Sequence, residues 1–210
     1  MPSRWTHLEI EVKVCVADLP GLIHRLRRLG AVPRGRVLER NTLYDTPDSA
    51  LRRYGRLLRL RIEVPARSTF SPAGPPRTIL TSKAPASFHA GRGTERRTMP
   101  LYKEKQERET VIRQTPRRTW LEALRSLGFR PGFRYEKYRT GFRLDRLHLD
   151  LDETPMGAFL EIEGPPRSIN RISRKLGYSR SDYLQGTYWD LYASDCLRRG
   201  CLPRNMLFHA

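Results

Sequence analysis

Alternation of apolar and charged positions is the dominant pattern in this chain. Between residues 7 and 16, aliphatic side chains occupy every second position, and mostly charged side chains lie between them. Because neighbouring side chains on a strand point to opposite faces, this segment predicts a strand with one apolar and one charged face. Similar short segments predict further strands at residues 37–43, 57–64, 78–84, 102–112, 135–140, 146–152 and 158–164.

The spacing of apolar residues changes to that of a helix in four segments. Asp18 is suited to cap the first helix, Pro20 lies in its first turn and Gly30 ends it. The other helices are predicted at residues 115–127, 168–175 and 182–198. Segments rich in Pro, Ser, Gly or Arg predict loops at 65–77 and 85–100. We expect one domain over residues 1–192, followed by a C-terminal extension over residues 193–210.

The charged faces of at least six predicted strands hold ionisable residues almost exclusively. A single face of this kind is typical of a sheet surface in water, which tolerates any polar side chain. Repetition over six strands indicates instead that the charged faces converge on one highly charged ligand. The acidic members are Glu9, Glu11, Glu107, Glu109, Asp150, Asp152, Glu161 and Glu163, and the basic members are Lys13, Arg59, Arg61, Lys83, Lys105, Lys137 and Arg139.

Acids and bases gathered in one place predict a site for a metal-bound polyphosphate. Carboxylates repel one another unless a cation lies among them, and Mg²⁺ and Mn²⁺ prefer oxygen ligands. Several Arg and Lys side chains together suit a chain of phosphates. Phosphoryl and nucleotidyl transfer depend mainly on positioning and on neutralising the charge that develops, which is what such a site supplies.

Net charge and cysteine content narrow the class of protein without choosing its ligand. The formal charge of +18 favours an anionic partner. The three cysteines, Cys15, Cys196 and Cys201, form neither an even disulfide framework nor a zinc-like cluster. The sequence shows no apolar stretch of signal-peptide or membrane-spanning length. We therefore expect a cytoplasmic protein that does not enter a membrane.

The order of the charged motifs resembles the CYTH superfamily, also called the triphosphate tunnel metalloenzymes. The segment Glu9-Ile-Glu-Val-Lys13 is similar to the ExExK motif of that family. The later motifs follow in the family's order: Leu-Arg59-Leu-Arg61, Thr81-Ser-Lys83, Lys105-Gln-Glu107-Arg-Glu109, Glu-Lys137-Tyr-Arg139, Asp152-Glu-Thr-Pro-Met-Gly and Glu161-Ile-Glu163. The resemblance covers residues 7–192. It implies an α+β fold in which a closed eight-stranded antiparallel β-barrel carries helices packed outside.

The resemblance also implies roles for individual residues. The catalytic residues would be Glu9, Glu11 and Lys83. The phosphate chain would be bound by Lys13, Arg59, Arg61, Lys83, Lys105, Lys137 and Arg139. The cofactor would be Mg²⁺ or Mn²⁺, with ligands drawn from Glu9, Glu11, Glu109, Asp152, Glu161 and Glu163.

Several activities are compatible with such a site. The overall layout, including the late segment Gly186-Thr-Tyr-Trp-Asp-Leu-Tyr192, is most similar to class IV adenylate cyclases, which convert ATP to cyclic AMP and pyrophosphate. Hydrolysis of tripolyphosphate or thiamine triphosphate is the alternative. A non-catalytic polyphosphate- or RNA-binding module is a lesser alternative, because carboxylates on the same faces would repel a nucleic acid. The C-terminal tail is a candidate contact for a homodimer.

Overall fold

A closed antiparallel barrel of eight strands forms the centre of the described part of the chain. The computed structural model describes residues 7–66, 74–85, 102–112 and 117–208. The strands are β1 (His7–Val16), β2 (Val32–Asp45), β3 (Leu57–Pro65), β4 (Arg77–Pro85), β5 (Lys103–Ile112), β6 (Arg130–Leu144), β7 (Leu147–Thr154) and β8 (Gly157–Glu163). They are neighbours around the barrel in the order β1-β5-β4-β3-β2-β6-β7-β8. The predicted fold class is confirmed.

Five helices accompany these strands within the described residues. They are α1 (Leu19–Arg28), α2 (Ala50–Arg53), α3 (Arg117–Ser126), α4 (Pro166–Lys175) and α5 (Tyr188–Arg198). Asp18 caps α1 as predicted, since its Oδ1 accepts a 2.9 Å hydrogen bond from the amide of Gly21.

The main apolar core lies outside the barrel, between its outer face and helices α1 and α4. Val12 and Val14 of β1 and Leu149 of β7 share a buried cluster with Leu22 of α1 and Ile169 of α4. The apolar face of each of these strands is therefore turned outward, towards the helices. Because side chains alternate along a strand, their charged faces line the interior of the barrel.

Two strands are longer than the sequence predicts. β2 spans Val32–Asp45 instead of residues 37–43, and β6 spans Arg130–Leu144 instead of 135–140. Pro33 and Gly35 interrupt the pattern of β2, and the register between β2 and β6 shifts at this point. A shift of this kind lets a strand continue through residues that are poor strand formers.

The last predicted helix begins later than expected. Residues Arg180–Asp182 form a short 3₁₀ turn, and α5 starts only at Tyr188. Gly186 has a φ of 88°, outside the helical region, and the side chains of Thr187 and Asp190 then form a capping box. The predicted domain boundary at residue 192 falls inside α5. The predicted loops at 65–77 and 85–100 and the start of the helix at residue 115 lie partly outside the described residues.

The C-terminal extension packs against β6. Met206 is buried, its amide donates to the carbonyl of Arg134 at 2.9 Å, and its carbonyl accepts from the amide of Glu136 at 2.9 Å. The segment after α5 is thus fixed to the barrel by backbone hydrogen bonds. Among the helices in the described ranges, none has both the length and the apolar character needed to cross a membrane.

Candidate active site

One cavity of about 220 Å³ inside the barrel brings together almost all of the predicted site residues. All strands except β2 contribute to its wall. The predicted residues that line it are Glu9, Glu11, Lys13, Arg59, Arg61, Lys83, Lys105, Glu109, Lys137, Arg139, Glu161 and Glu163. We call this space the charged cavity. Asp152 is the one predicted site residue that does not line it among those described.

Lys13 lies deep in the charged cavity and is only 2% exposed. Its ammonium group is 3.0 Å from a carboxylate oxygen of Glu161 and 3.6 Å from the ring centroid of Tyr188. Burial lowers the pKa of Lys13, but the attraction of Glu161 and Glu11 outweighs it and leaves the pKa raised. Lys13 is therefore held in its charged form.

Two arginines of β3 point into the cavity with their guanidinium groups fixed by neighbours. Arg59 donates to the hydroxyl of Thr81 at 3.1 Å and to Glu109 at 3.4 Å. Arg61 donates to the amide oxygen of Asn41 at 2.9 Å. Such bonding orients the donors of a guanidinium group in advance, which favours forked binding of phosphate.

Glu39 of β2 was not predicted from the sequence. It is an anion that lies among the basic residues of the site. It is fully buried and lies 2.9 Å from Arg61, 3.5 Å from Lys137 and 3.6 Å from Arg139. Burial alone would raise its pKa, but the attraction of these three cations holds the pKa of Glu39 well below its usual range. Glu39 thus holds three phosphate-binding candidates in place through its negative charge.

The carboxylates of β1 and β8 are crowded. In the paired strands Glu11 lies opposite Glu163, and Lys13 lies opposite Glu161. Burial raises the pKa of Glu11, and the nearby carboxylates of Glu161 and Glu9 raise it further. Burial is also the main reason why the pKa of Glu9 is raised. A cation placed among these groups would relieve both effects.

Three lysines face these carboxylates from β4 and β5. Lys83 lies 2.6 Å from Glu9 and 3.1 Å from Glu107. Although burial lowers the pKa of Lys83, the attraction of Glu9 leaves it raised. Burial and the charge of Lys13 lower the pKa of Lys103 to about 8, and burial with the charge of Lys83 lowers that of Lys105.

Asp152 serves as a buried counter-ion behind the cavity wall. It is fully buried, and its oxygens lie 2.7 Å from Lys137 and 2.6 Å from Arg139. The hydroxyl of Tyr188 is its third partner and donates a hydrogen bond to it at 2.6 Å. Burial and the charges of Asp152 and Glu161 raise the pKa of Tyr188 well above its ordinary value, so the hydroxyl remains a donor.

The oxygen donors present fit Mg²⁺ or Mn²⁺ in kind, because both ions prefer carboxylates. As placed, however, no three acidic, histidine or cysteine side chains among the described residues are close enough to hold one metal ion. The carboxylates are instead paired with bases of the same cavity, as in Glu9–Lys83 and Glu161–Lys13.

The sequence of the chain also matches a known family. The profile of the CYTH domain matches residues 7–188, which is most of the chain. The chain belongs to the CYTH domain family. A comparison with curated proteins finds no match.

Solved structures share this CYTH fold. A candidate adenylate cyclase from Vibrio parahaemolyticus has a TM-score of 0.67 at 18% identity, over 89% of this chain and 98% of that one. The PH1819 protein of Pyrococcus horikoshii has a TM-score of 0.67 at 22% identity, over 89% of this chain and 99% of that one. A Hippeastrum protein has a TM-score of 0.54 at 16% identity, over 93% of this chain and 97% of that one. It is described as a candidate adenylyl cyclase with a dominant triphosphatase activity. At these identities the likeness establishes the fold alone.

Proposed function

We propose that this CYTH protein is a metal-dependent enzyme that cleaves a triphosphate inside the charged cavity. The observation that carries the proposal is the convergence of buried bases and crowded carboxylates from seven of the eight strands of one closed barrel. A triphosphate would pair with the bases and a divalent cation with the carboxylates, so the two ligands together would replace the ion pairs that the cavity now holds. Neither partner alone would balance both halves of the site.

Binding of the ligands would replace the ion pairs that the side chains form with one another in the unliganded protein. A phosphate oxygen near Lys13 or Lys83 would take the place of Glu161 or Glu9. The carboxylates released in this way would become free to accept a cation. Metal and triphosphate would therefore bind together more tightly than either binds by itself, which is a positive coupling.

The metal would be held by carboxylates of β1 and β8, namely Glu9, Glu11, Glu161 and Glu163. When bound, Mg²⁺ or Mn²⁺ supplies Lewis-acid neutralisation of the phosphate oxygens. Arg59, Arg61, Lys137 and Arg139 would hold the phosphate chain straight and neutralise the charge that builds up on the leaving group. Lys83 remains charged, so it would act as an electrostatic stabiliser and not as a base.

The first candidate reaction is cyclisation of ATP to cyclic AMP. The ribose 3′-oxygen bonds to the α-phosphorus, the bond from that phosphorus to the bridging oxygen breaks, pyrophosphate leaves and the hydroxyl proton is released. Support comes from the resemblance of the segment 186–192 to class IV cyclases and from the names of neighbours in Vibrio and Hippeastrum.

Hydrolysis to orthophosphate is the second candidate. The same cavity would direct water to the terminal phosphorus, and the observation that favours it is the triphosphatase activity attributed to the Hippeastrum neighbour. The alternatives differ only in the attacking oxygen and in the phosphorus that it attacks.

Product analysis separates the two reactions. The purified full chain is incubated with ATP, tripolyphosphate or thiamine triphosphate, each with Mg²⁺, Mn²⁺ or a chelator, and the products are identified by ³¹P NMR and chromatography. Cyclic AMP with pyrophosphate supports cyclisation, whereas orthophosphate supports hydrolysis. Absence of turnover for all three substrates with metal present would overturn the proposed function.

A further inference from the structure

The end of helix α5 places two cysteines side by side. The helix stops at Arg198, and Gly200 takes a positive φ of 68°, which turns the chain back on itself. The amide of Cys201 then donates to the carbonyl of Cys196 at 2.9 Å, and the amide of Gly200 donates to the carbonyl of Leu197 at 3.1 Å. These two bonds form a Schellman motif, in which the side chains at the two ends of the longer bond commonly contact each other.

Cys196 and Cys201, which we call the thiol pair, meet the requirements of a disulfide. Such a bond needs Cα atoms no more than about 6.8 Å apart. A 2.9 Å hydrogen bond between the backbones of the two residues places their Cα atoms within about that distance, because the covalent bonds on either side are short and not collinear with it. The thiols also interact directly, since a hydrogen bond to Cys196 raises the pKa of Cys201. The backbone therefore already has the form that a disulfide across this turn requires.

The two members of the thiol pair differ in access to solvent. Cys201 is exposed, whereas Cys196 is buried. The side chains of Tyr192 and Arg199 also hydrogen-bond with Cys196, so its sulfur lies beside a cation and several donors. Such surroundings are typical of cysteines that react. This division suits a stepwise oxidation, in which the outer thiol meets the oxidant and the inner thiol completes the disulfide.

The thiol pair lies at the junction between α5 and the C-terminal extension. At its start, α5 contributes Tyr188 to the wall of the charged cavity. Beyond the pair, Met206 is bound to β6 by two backbone hydrogen bonds. A disulfide at the junction would fasten the end of the helix to the segment that follows it.

We infer that the thiol pair is a redox-modification site, at which a peroxide converts Cys196 and Cys201 into a disulfide that fixes the C-terminal extension to α5. The inference goes beyond the proposed function and does not depend on it. Disulfides in reducing compartments are usually transient and often sense oxidants, which fits a pair with one exposed thiol.

Oxidation would proceed in two balanced steps. In the first, the Cys201 sulfur bonds to one oxygen of hydrogen peroxide, the oxygen–oxygen bond breaks and water leaves, so that Cys201 becomes a sulfenic acid. In the second, the Cys196 sulfur bonds to the Cys201 sulfur, the sulfur–oxygen bond breaks and a second water leaves. The two thiols together lose two electrons and two protons, and the peroxide gains them.

Peptide mapping of the oxidised full chain tests the inference. The reduced protein is treated with hydrogen peroxide, unfolded and alkylated, and its peptides are identified by mass spectrometry without a reductant. Cys201→Ser is the test variant, because it removes the exposed sulfur and leaves the buried one. Cys15→Ser is the matched control, since Cys15 is also exposed but lies on β1. Melting temperatures are measured before and after oxidation.

We expect one disulfide, between Cys196 and Cys201 of the same chain, in the native protein and in Cys15→Ser, and none in Cys201→Ser. Oxidation should raise the melting temperature of the first two by about 4–8 °C, because closing even a short loop restricts the unfolded chain. Dithiothreitol should restore both thiols and the original melting temperature.

Several results would overturn the inference. They are oxidation of Cys201 to a sulfinic acid while Cys196 stays a thiol, a disulfide from Cys201 to Cys15 or to another chain, and no oxidation of either thiol in a solution where glutathione is fully oxidised. A disulfide that forms but does not raise the melting temperature would show that it does not fix the extension. None of these results concerns triphosphate cleavage, so the proposed function would stand in each case.

Discussion

The hydroxyl of Tyr188 donates a 2.6 Å hydrogen bond to Oδ2 of Asp152, an oxygen that also lies 2.7 Å from the ammonium group of Lys137. The ring of the same tyrosine lies 3.6 Å from the ammonium group of Lys13. Helix α5 thus reaches the charged cavity through one residue that fixes two lysines in different ways. The first prediction follows from this double role.

Two substitutions of Tyr188 should distinguish the contribution of its hydroxyl from that of its ring. Tyr188→Phe keeps the ring and removes a charge-assisted hydrogen bond, so we expect the free energy of unfolding to fall by about 1.5–3 kcal/mol and triphosphate affinity to change little. Tyr188→Leu also removes the ring beside Lys13, so affinity should fall by roughly a further tenfold. Urea unfolding measures the first effect. Calorimetry measures the second, with an ATP analogue that cannot be cleaved because methylene groups replace the bridging oxygens between its phosphorus atoms. Native affinity in Tyr188→Leu would show that the ring does not position Lys13.

Glu11→Gln should remove activity without loss of stability. The substitution keeps the size of the side chain and removes a charge that repels Glu161 and Glu9. Turnover should fall by at least about 100-fold, because even residues behind metal ligands commonly contribute 10- to 100-fold. The melting temperature should stay the same or rise.

The matched control for this change is Glu104→Gln. Glu104 lies on the neighbouring strand β5, opposite Ile10 in the register, and is exposed on the outer face. Its replacement should leave activity unchanged. Near-native turnover in Glu11→Gln with Mg²⁺ or Mn²⁺ would contradict the assignment of the metal ligands.

Lys13→Met should weaken binding of the triphosphate. Loss of one charge-assisted hydrogen bond to phosphate corresponds to about a 10- to 100-fold increase in Kd. Arg108→Met serves as the control, because Arg108 is a basic residue of β5 that is exposed and does not line the charged cavity. Equal affinity for the ATP analogue in the native chain and in Lys13→Met would show that phosphate binds elsewhere.

Glu39→Gln should destabilise the protein in a manner that depends on pH. The folded-state pKa of Glu39 is depressed, so its contribution to stability is present above the ordinary value of 4.5 and is lost as the pH falls below it. At pH 7 the free energy of unfolding of the variant should be about 3–5 kcal/mol lower than that of the native protein, as is usual when a buried ion pair loses one partner. The difference from the native protein should shrink as the pH falls below 4.5.

Urea unfolding at a series of pH values measures this difference. Glu122→Gln is the control, since Glu122 is exposed and pairs only with Arg118 at the surface of α3 among the contacts described. If the difference in free energy of unfolding between Glu39→Gln and the native protein stays constant between pH 7 and pH 3, the proposed role of Glu39 is contradicted.

The charged faces could be predicted from the sequence because charged and aliphatic residues alternate along these strands. Wherever the outer face packs on a helix, as Val12 and Leu149 do, the alternation is strict and the inner face is easily identified. Spacing alone therefore located the strands that carry Lys13 and Glu161. It could not locate the ends of β2 or the start of α5, which depend on Pro33 and on a cap at Thr187.

Glu39 was missed for a related reason. It shares its strand face with Val37, Asn41 and Leu43, so that face does not read as charged. Only the pairing of β2 with β3 and β6 shows that Glu39 lies beside the cations. Asp152 was identified from its motif, but its hydrogen bond with Tyr188, 36 positions away in the chain, could not be predicted from the sequence.

The central claim is that metal and triphosphate occupy the charged cavity together, and calorimetry of the full chain with the uncleavable ATP analogue tests it most directly. Titrations are run with Mn²⁺ and with a chelator, each at low and high salt. We predict one site per chain, with Mn²⁺ tightening binding at least about tenfold through the coupling of the two ligands, and with most of the affinity retained in high salt. Binding that is indifferent to metal and lost in high salt would contradict the account, because that is the behaviour of a basic surface attracting any polyanion.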